Sequence, residues 1–93
     1  MNKLEECRNK IDEIDTQIID LYEKRMKIVE DVIRYKIENN IPILDSSRES
    51  KMLDKNLKKI KNENLKKYYS DVLEGFLKSS KNMQKDILDK ENK

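Results

Sequence analysis

Eight side chains spread along the sequence have the types and spacing of a binding site for a small anion. They are cations, carboxylates and neutral polar groups, namely Arg8, Arg25, Lys36, Asp45, Arg48, Glu49, Ser80 and Gln84. The chain has only four arginines among its 21 basic residues, and three of the four belong to this set. A guanidinium is a planar fork that holds a carboxylate through two parallel hydrogen bonds. The set therefore suits a small, multiply anionic, hydroxylated molecule.

Side chains suited to covalent chemistry are missing from the same sequence. The chain has no histidine. Its one cysteine, Cys7, cannot form an internal disulfide, and it lies at the spacing of the apolar residues, which indicates a small packed side chain. Neither metal-ligand spacing nor a glycine-rich phosphate loop occurs. We therefore expect a site that holds its ligand and does little covalent chemistry on it.

The first of these side chains are predicted to lie on one long helix, from about residue 3 to 38. Apolar residues recur there in alternating steps of three and four, which is typical of a helix with one apolar face. Asn39 or Asn40 suits the left-handed position that ends a helix, and Pro42 prevents its continuation. Such a helix would be about 54 Å long. A chain of 93 residues has too little left to cover it, so we expect a second copy alongside.

Helix geometry separates the three candidate site cations of this segment. Arg25 and Lys36 are eleven residues apart, so they lie about 16 Å apart on nearly the same face and could grip one small anion. Arg8 lies about 25 Å before Arg25 and about 100° round the helix, so any ligand role must be in a neighbouring subunit's site. Simpler interpretations stay open: Arg25 could reach the rim or pair with a buried carboxylate, and Lys36 and Arg8 could be ordinary solvated side chains.

Two shorter helices are predicted to supply the remaining side chains. Ser46 and Glu49, in the stretch IPILDSSRES, form an S-x-x-E capping box that starts a helix of about residues 46–61. A third helix of about residues 64–90 follows a cap at Asn62 or Asn64. On its apolar face lie Ser80 and Gln84, one turn apart, where they could either link helices by hydrogen bonds or face a bound molecule. The sequence thus predicts an all-α fold.

Composition bounds the kind of protein. The 93 residues suit one domain, residues 1–93, with 43% charged and 35% apolar residues. The net charge of +2 gives no reason to expect nucleic acid or an anionic membrane as a partner. No apolar run is long enough for a signal peptide or a membrane span, so we expect a cytoplasmic protein.

The pattern as a whole resembles the all-helical class of chorismate mutases. The resemblance is carried by LEECRNKIDEIDTQIIDLYEKR, a lysine eleven residues after the last arginine, then PILDSSRE and finally SKNMQ, over residues 4 to about 88. It implies a three-helix subunit with a long first helix, intertwined with a second copy in a homodimer that has two active sites. It also implies the conversion of chorismate to prephenate without a cofactor, a step towards phenylalanine and tyrosine.

The resemblance also implies a role for each candidate residue. Arg25 and the arginine at position 8 of the second subunit resemble the pair that holds the two carboxylates of chorismate. Lys36 and Gln84 resemble the pair that hydrogen-bonds the ether oxygen, and Glu49 resembles the carboxylate that receives the ring hydroxyl. In the active site that the resemblance implies, the remaining wall residues are Asp45, Arg48 and Ser80.

Two alternatives accompany this interpretation. The same scaffold can host isochorismate pyruvate lyase activity, although the intact DSSRE motif and Ser80 favour the mutase. A helical interaction module without catalysis would show scattered polar residues on the apolar stripe, not eight in one arrangement. We also expect a free-standing enzyme without an effector domain.

Overall fold

The computed structural model describes residues 2–43 and 46–91, apart from the side chain of Ser46. These residues form helix α1 (Lys3–Glu38), helix α2 (Ser46–Leu57), a short 3-10 segment (Glu63–Leu65) and helix α3 (Lys66–Glu91), with no strand among them. Within these ranges no helix combines the length and the apolarity needed to cross a bilayer. The all-α fold with a long first helix is confirmed.

Helix α1 is held at both ends by local hydrogen bonds. At the start, the side chain of Asn2 accepts a hydrogen bond from the backbone N–H of Glu5 at 2.8 Å. At the end, Asn40 takes the left-handed conformation with φ 55°, and the N–H of Ile41 donates to the carbonyl of Lys36 at 2.9 Å. This is a Schellman ending. The predicted asparagine stop is confirmed, and it fixes the last turn, which carries Lys36.

Helix α2 is shorter than predicted. It ends at Leu57, whereas its apolar pattern indicated an end near residue 61. The N–H of Lys58 still bonds to the carbonyl of Asp54, but the N–H groups of Lys59 and Ile60 bond to carbonyls only three residues back. The predicted end is wrong because the backbone tightens into successive turns after Leu57, although Ile60 continues the apolar spacing.

The chain enters α3 through the 3-10 segment. Asn62 caps it, since its side chain accepts a hydrogen bond from the N–H of Asn64 at 3.0 Å. One of the two asparagines proposed from the sequence therefore acts as the cap. Helix α3 lies between the other two helices and contacts both, so it is the element that positions them.

The core within one chain is small. Four apolar side chains are buried in the described residues, Met26 and Ile33 from α1 and Leu73 and Ile87 from α3. The radius of gyration is 16.9 Å, whereas a compact domain of this length has about 12 Å. An apolar face of α1 is 46–63% exposed, comprising Leu4, Ile11, Ile14, Ile18, Leu21, Ile28 and Val32. The chain leaves the stripe predicted from its sequence largely uncovered.

Candidate active site

Residues of all three helices line one cavity of about 300 Å³. Six of the eight residues predicted from the sequence lie in its wall, namely Arg25, Lys36, Arg48, Glu49, Ser80 and Gln84. Helix α1 contributes two cations of one face, α2 contributes the residues of its first turn, and α3 contributes the two neutral polar groups. The folding of three distant segments against each other thus collects the polar side chains that the sequence singled out.

Arg25 is oriented by contacts on two sides. Its Nη1 donates a hydrogen bond to Oγ of Ser80 at 3.1 Å, and its Cζ lies 5.1 Å from the centroid of the Phe76 ring. That ring stacks on Tyr22 with a centroid separation of 6.5 Å, and the hydroxyl of Tyr22 is hydrogen-bonded to Ser79. A guanidinium that is held by a hydroxyl and a ring face loses less freedom when it binds a carboxylate.

Lys36 faces the cavity from the last turn of α1. Its Nζ donates to the backbone carbonyl of Ile43 at 3.4 Å, and the residue is half-buried. An ammonium has three N–H donors, so this bond leaves donors available for a ligand. Ile43 also lines the cavity, and the segment after α1 therefore helps to orient the lysine.

Glu49 is paired with a residue that the sequence interpretation missed. Nζ of Lys81 lies 3.2 Å from Oε1 of Glu49, and both side chains line the cavity. The available signal was its position, since Lys81 directly follows Ser80 and precedes Gln84 by three residues. Lysine is so frequent in this chain that one more lysine does not stand out. The predicted capping box stays a prediction, because the side chain of Ser46 lies outside the described part of the structure.

Gln84 presents a polar atom without a partner. Its Oε1 is buried and has no hydrogen bond, whereas native proteins satisfy nearly all such atoms. Rotating the amide by 180° exchanges Oε1 with Nε2, so the group can offer either an acceptor or a donor. Gln84 thus lines the cavity with an amide whose buried oxygen lacks a partner.

Of the two remaining predicted residues, one lies away from this wall and the other lies outside the described part of the structure. Arg8 is exposed near the start of α1 and does not line the cavity, in agreement with the separation expected along the helix. Asp45 lies outside the described residues. The rest of the wall is mainly apolar and includes Ile28, Val32 and Met52, which the sequence interpretation did not single out as site residues.

The charged side chains of the described cavity wall are mainly cationic. The described wall has four cationic side chains and one carboxylate, that of Glu49, with apolar side chains between them. No group of three or more His, Cys, Asp or Glu side chains among the described residues is placed to hold a metal ion. Fold and cavity together define an all-α protein with a cavity whose described wall carries more positive than negative charge.

Comparison with known proteins identifies the family. The chain matches the family model for chorismate mutase type II over residues 7–85, a range that contains all eight candidate positions, and it belongs to this family. It is 34% identical over 90 residues to a chorismate mutase of Methanocaldococcus jannaschii, covering 96% of this chain and 91% of that protein.

Two bifunctional proteins are also similar. A bifunctional chorismate mutase/prephenate dehydratase of Buchnera aphidicola subsp. Schizaphis graminum is 37% identical over 91 residues. Its counterpart in Buchnera aphidicola subsp. Acyrthosiphon pisum is 37% identical over 90 residues. Both alignments cover 96% of this chain but only 23% of the relative, so the chain spans about a quarter of the length of these proteins.

Proposed function

We propose that this chain is a chorismate mutase that converts chorismate to prephenate by an intramolecular rearrangement. The observation that carries the proposal is the shared cavity of Arg25, Lys36, Arg48, Glu49, Ser80 and Gln84 in a member of this family. Chorismate has two carboxylates, an ether oxygen and a ring hydroxyl. A wall with several cations, one carboxylate and two neutral polar groups offers a partner for each of these groups.

The reaction requires substrate positioning and stabilisation of developing charge, and the side chains of this cavity can supply both. The rearrangement breaks one C–O bond while a C–C bond forms in a single cyclic transition state, so it needs no nucleophile. Catalysis then depends on holding a compact conformer and on placing donors where charge develops. The ether oxygen becomes partly negative as its bond breaks. The Lys36 ammonium and the Gln84 amide N–H are the proposed donors to it.

Arg25 and Glu49 are proposed to orient the substrate. The guanidinium of Arg25 is already fixed by Ser80 and Phe76, so it can hold one carboxylate with little loss of freedom. The Glu49 carboxylate accepts a hydrogen bond from the ring hydroxyl. The carboxyl of Asp45 and the side chain of Arg48 complete the wall in this assignment.

The second carboxylate is proposed to meet Arg8 of a second copy. Arg8 is exposed and remote from the cavity of its own chain. The uncovered apolar face of α1 and the large radius of gyration support an intertwined homodimer, since a soluble monomer rarely exposes so continuous an apolar stripe. Such a dimer has two sites, each with one arginine from the other subunit. The cytoplasmic location stays a prediction.

The product distinguishes the mutase from its alternatives. Purified protein is mixed with chorismate, the loss of its ultraviolet absorbance is followed, and the product is examined by mass spectrometry and NMR. A rearrangement gives an isomer of unchanged mass, namely prephenate. A parallel reaction with isochorismate is assayed for pyruvate. Pyruvate release without prephenate formation would indicate the lyase, and no turnover of either compound would indicate an interaction module.

A matched pair of variants links turnover to the cavity. Lys36→Ala removes a wall residue, whereas Lys85→Ala removes an exposed lysine of α3 that does not line the cavity. We expect turnover to be lost only in the first variant. Equal turnover in both would refute the assignment of the cavity as the active site.

A further inference from the structure

The single described carboxylate of the cavity, that of Glu49, could pair with a cation that the substrate needs. Glu49 shares the wall with Lys36, and both residues line the cavity that is proposed to receive an anion. Opposite charges on the wall of one partly enclosed cavity attract each other. A Glu49 carboxylate that swung onto Lys36 would compete with the anionic substrate for the ammonium and so weaken substrate binding. Some feature of the site has to keep the two apart.

The structure contains such a feature in Lys81. Nζ of Lys81 lies 3.2 Å from Oε1 of Glu49, and Lys36 donates to the carbonyl of Ile43 instead. The side chain of Lys81 is 49% exposed and that of Glu49 is 29% exposed, so the lysine reaches in from the rim. The pair also links α2 to α3 at the cavity wall. The contact with Lys81 is made by one carboxylate oxygen of Glu49, Oε1.

We propose that Lys81 is a positioning residue that holds Glu49 on the α3 side of the cavity and so keeps Lys36 free for the anionic substrate. The inference rests on the proposed function for the identity of that substrate. In this role Lys81 contributes to the recognition of the substrate, and it does so indirectly, through Glu49. The pair orders Glu49 for the ring hydroxyl before the substrate arrives.

The first test compares three variants in chorismate turnover. Lys81→Met keeps the length of the side chain without its charge, Lys81→Arg keeps the pairing, and Lys85→Met is the control on an exposed part of α3. We expect Lys81→Met to raise KM about fivefold, the upper range for a partly exposed ion pair, with kcat changed less than about twofold. Lys81→Arg and Lys85→Met are both expected to keep the KM of the unsubstituted protein. An unchanged KM in Lys81→Met would overturn the proposal.

The second test asks whether Lys81 acts through Glu49. In a Glu49→Gln background no carboxylate is present to pair with Lys36, so Lys81→Met should no longer raise KM. If Lys81 merely attracts the anionic substrate, Lys81→Met would raise KM equally in both backgrounds. That result would overturn the positioning role, whereas a KM effect confined to the glutamate background supports it.

A third measurement does not depend on turnover. The midpoints of urea unfolding are determined at one protein concentration for Lys81→Met, Glu49→Gln and the double variant. We expect the losses to be less than additive, because the second substitution removes a partner that the first has already freed. Additive losses would show that the pair does not form, and would overturn the proposal even if chorismate is turned over. A protein that does not turn over chorismate but has coupled losses would instead refute the proposed function and retain the positioning of Glu49.

Discussion

Removing two isoleucines from the exposed face of α1 tests whether that face is a dimer interface. Ile14 and Ile18 are 53% and 50% exposed within one chain, one turn apart on the predicted stripe. The perturbation is the double substitution Ile14→Ala/Ile18→Ala. The control is Glu23→Ala, which removes an exposed side chain from the opposite side of the same helix.

The magnitude follows from the area that is still exposed. Full burial of an isoleucine side chain is worth about 1.5–3 kcal/mol, so burying the remaining half is worth about 1 kcal/mol. A twofold axis repeats each contact in both subunits, and alanine retains part of it, so the double substitution should cost about 3 kcal/mol of association free energy. Since about 1.4 kcal/mol is a factor of ten, the dissociation constant of the dimer should rise about a hundredfold.

Sedimentation equilibrium over a range of protein concentrations measures this constant. The double variant should dissociate at concentrations at which the unsubstituted protein and Glu23→Ala remain dimeric. Its specific activity on chorismate should fall on dilution, because a monomer lacks the second copy's Arg8. If the unsubstituted protein is monomeric, or if the double variant dissociates no more readily than the control, the dimer interpretation of α1 is refuted.

Three further substitutions test individual side chains of the cavity. Lys36→Ala should lower kcat about 10²- to 10³-fold while circular dichroism stays helical, because it removes a transition-state donor; a kcat near that of Lys85→Ala would defeat the assignment. Gln84→Glu should confine activity to acidic solution, since a glutamate donates a hydrogen bond only when protonated, and an unchanged pH profile would show that Gln84 does not face the ether oxygen. Arg25→Lys keeps the charge but loses the planar fork and the bond to Ser80, so kcat/KM should fall about 10- to 100-fold. A loss of less than twofold would contradict the carboxylate-binding role of Arg25.

The first helix could be predicted closely because its signals are local. The apolar spacing and the asparagine stop lie within a few turns, and α1 extends over Lys3–Glu38, as expected from them. The end of α2 could not be predicted from the sequence in the same way. Ile60 continues the apolar spacing, and the tightening of the backbone after Leu57 leaves no distinct residue signal.

The cavity was predictable only in part, for a reason of residue frequency. Arg25 was conspicuous because arginine is rare in this chain, and Ser80 and Gln84 because they interrupt an apolar face. Lys81 was not, since one lysine among many carries no signal until the fold places it against Glu49. The ring contact of Phe76 with Arg25 likewise depends on the packing of α3 against α1, which no local pattern specifies.

The central claim is that this cavity is a chorismate site completed by Arg8 of a second copy, and subunit exchange tests it most directly. Arg8→Ala and Lys36→Ala homodimers should each be nearly inactive. After the two are unfolded together and refolded, about half of the dimers should be mixed, and each mixed dimer has one site with both residues intact. Chorismate turnover should then return to about a quarter of that of the unsubstituted protein. A mixture that contains heterodimers, shown by native mass spectrometry, but remains as inactive as its parents would contradict the claim.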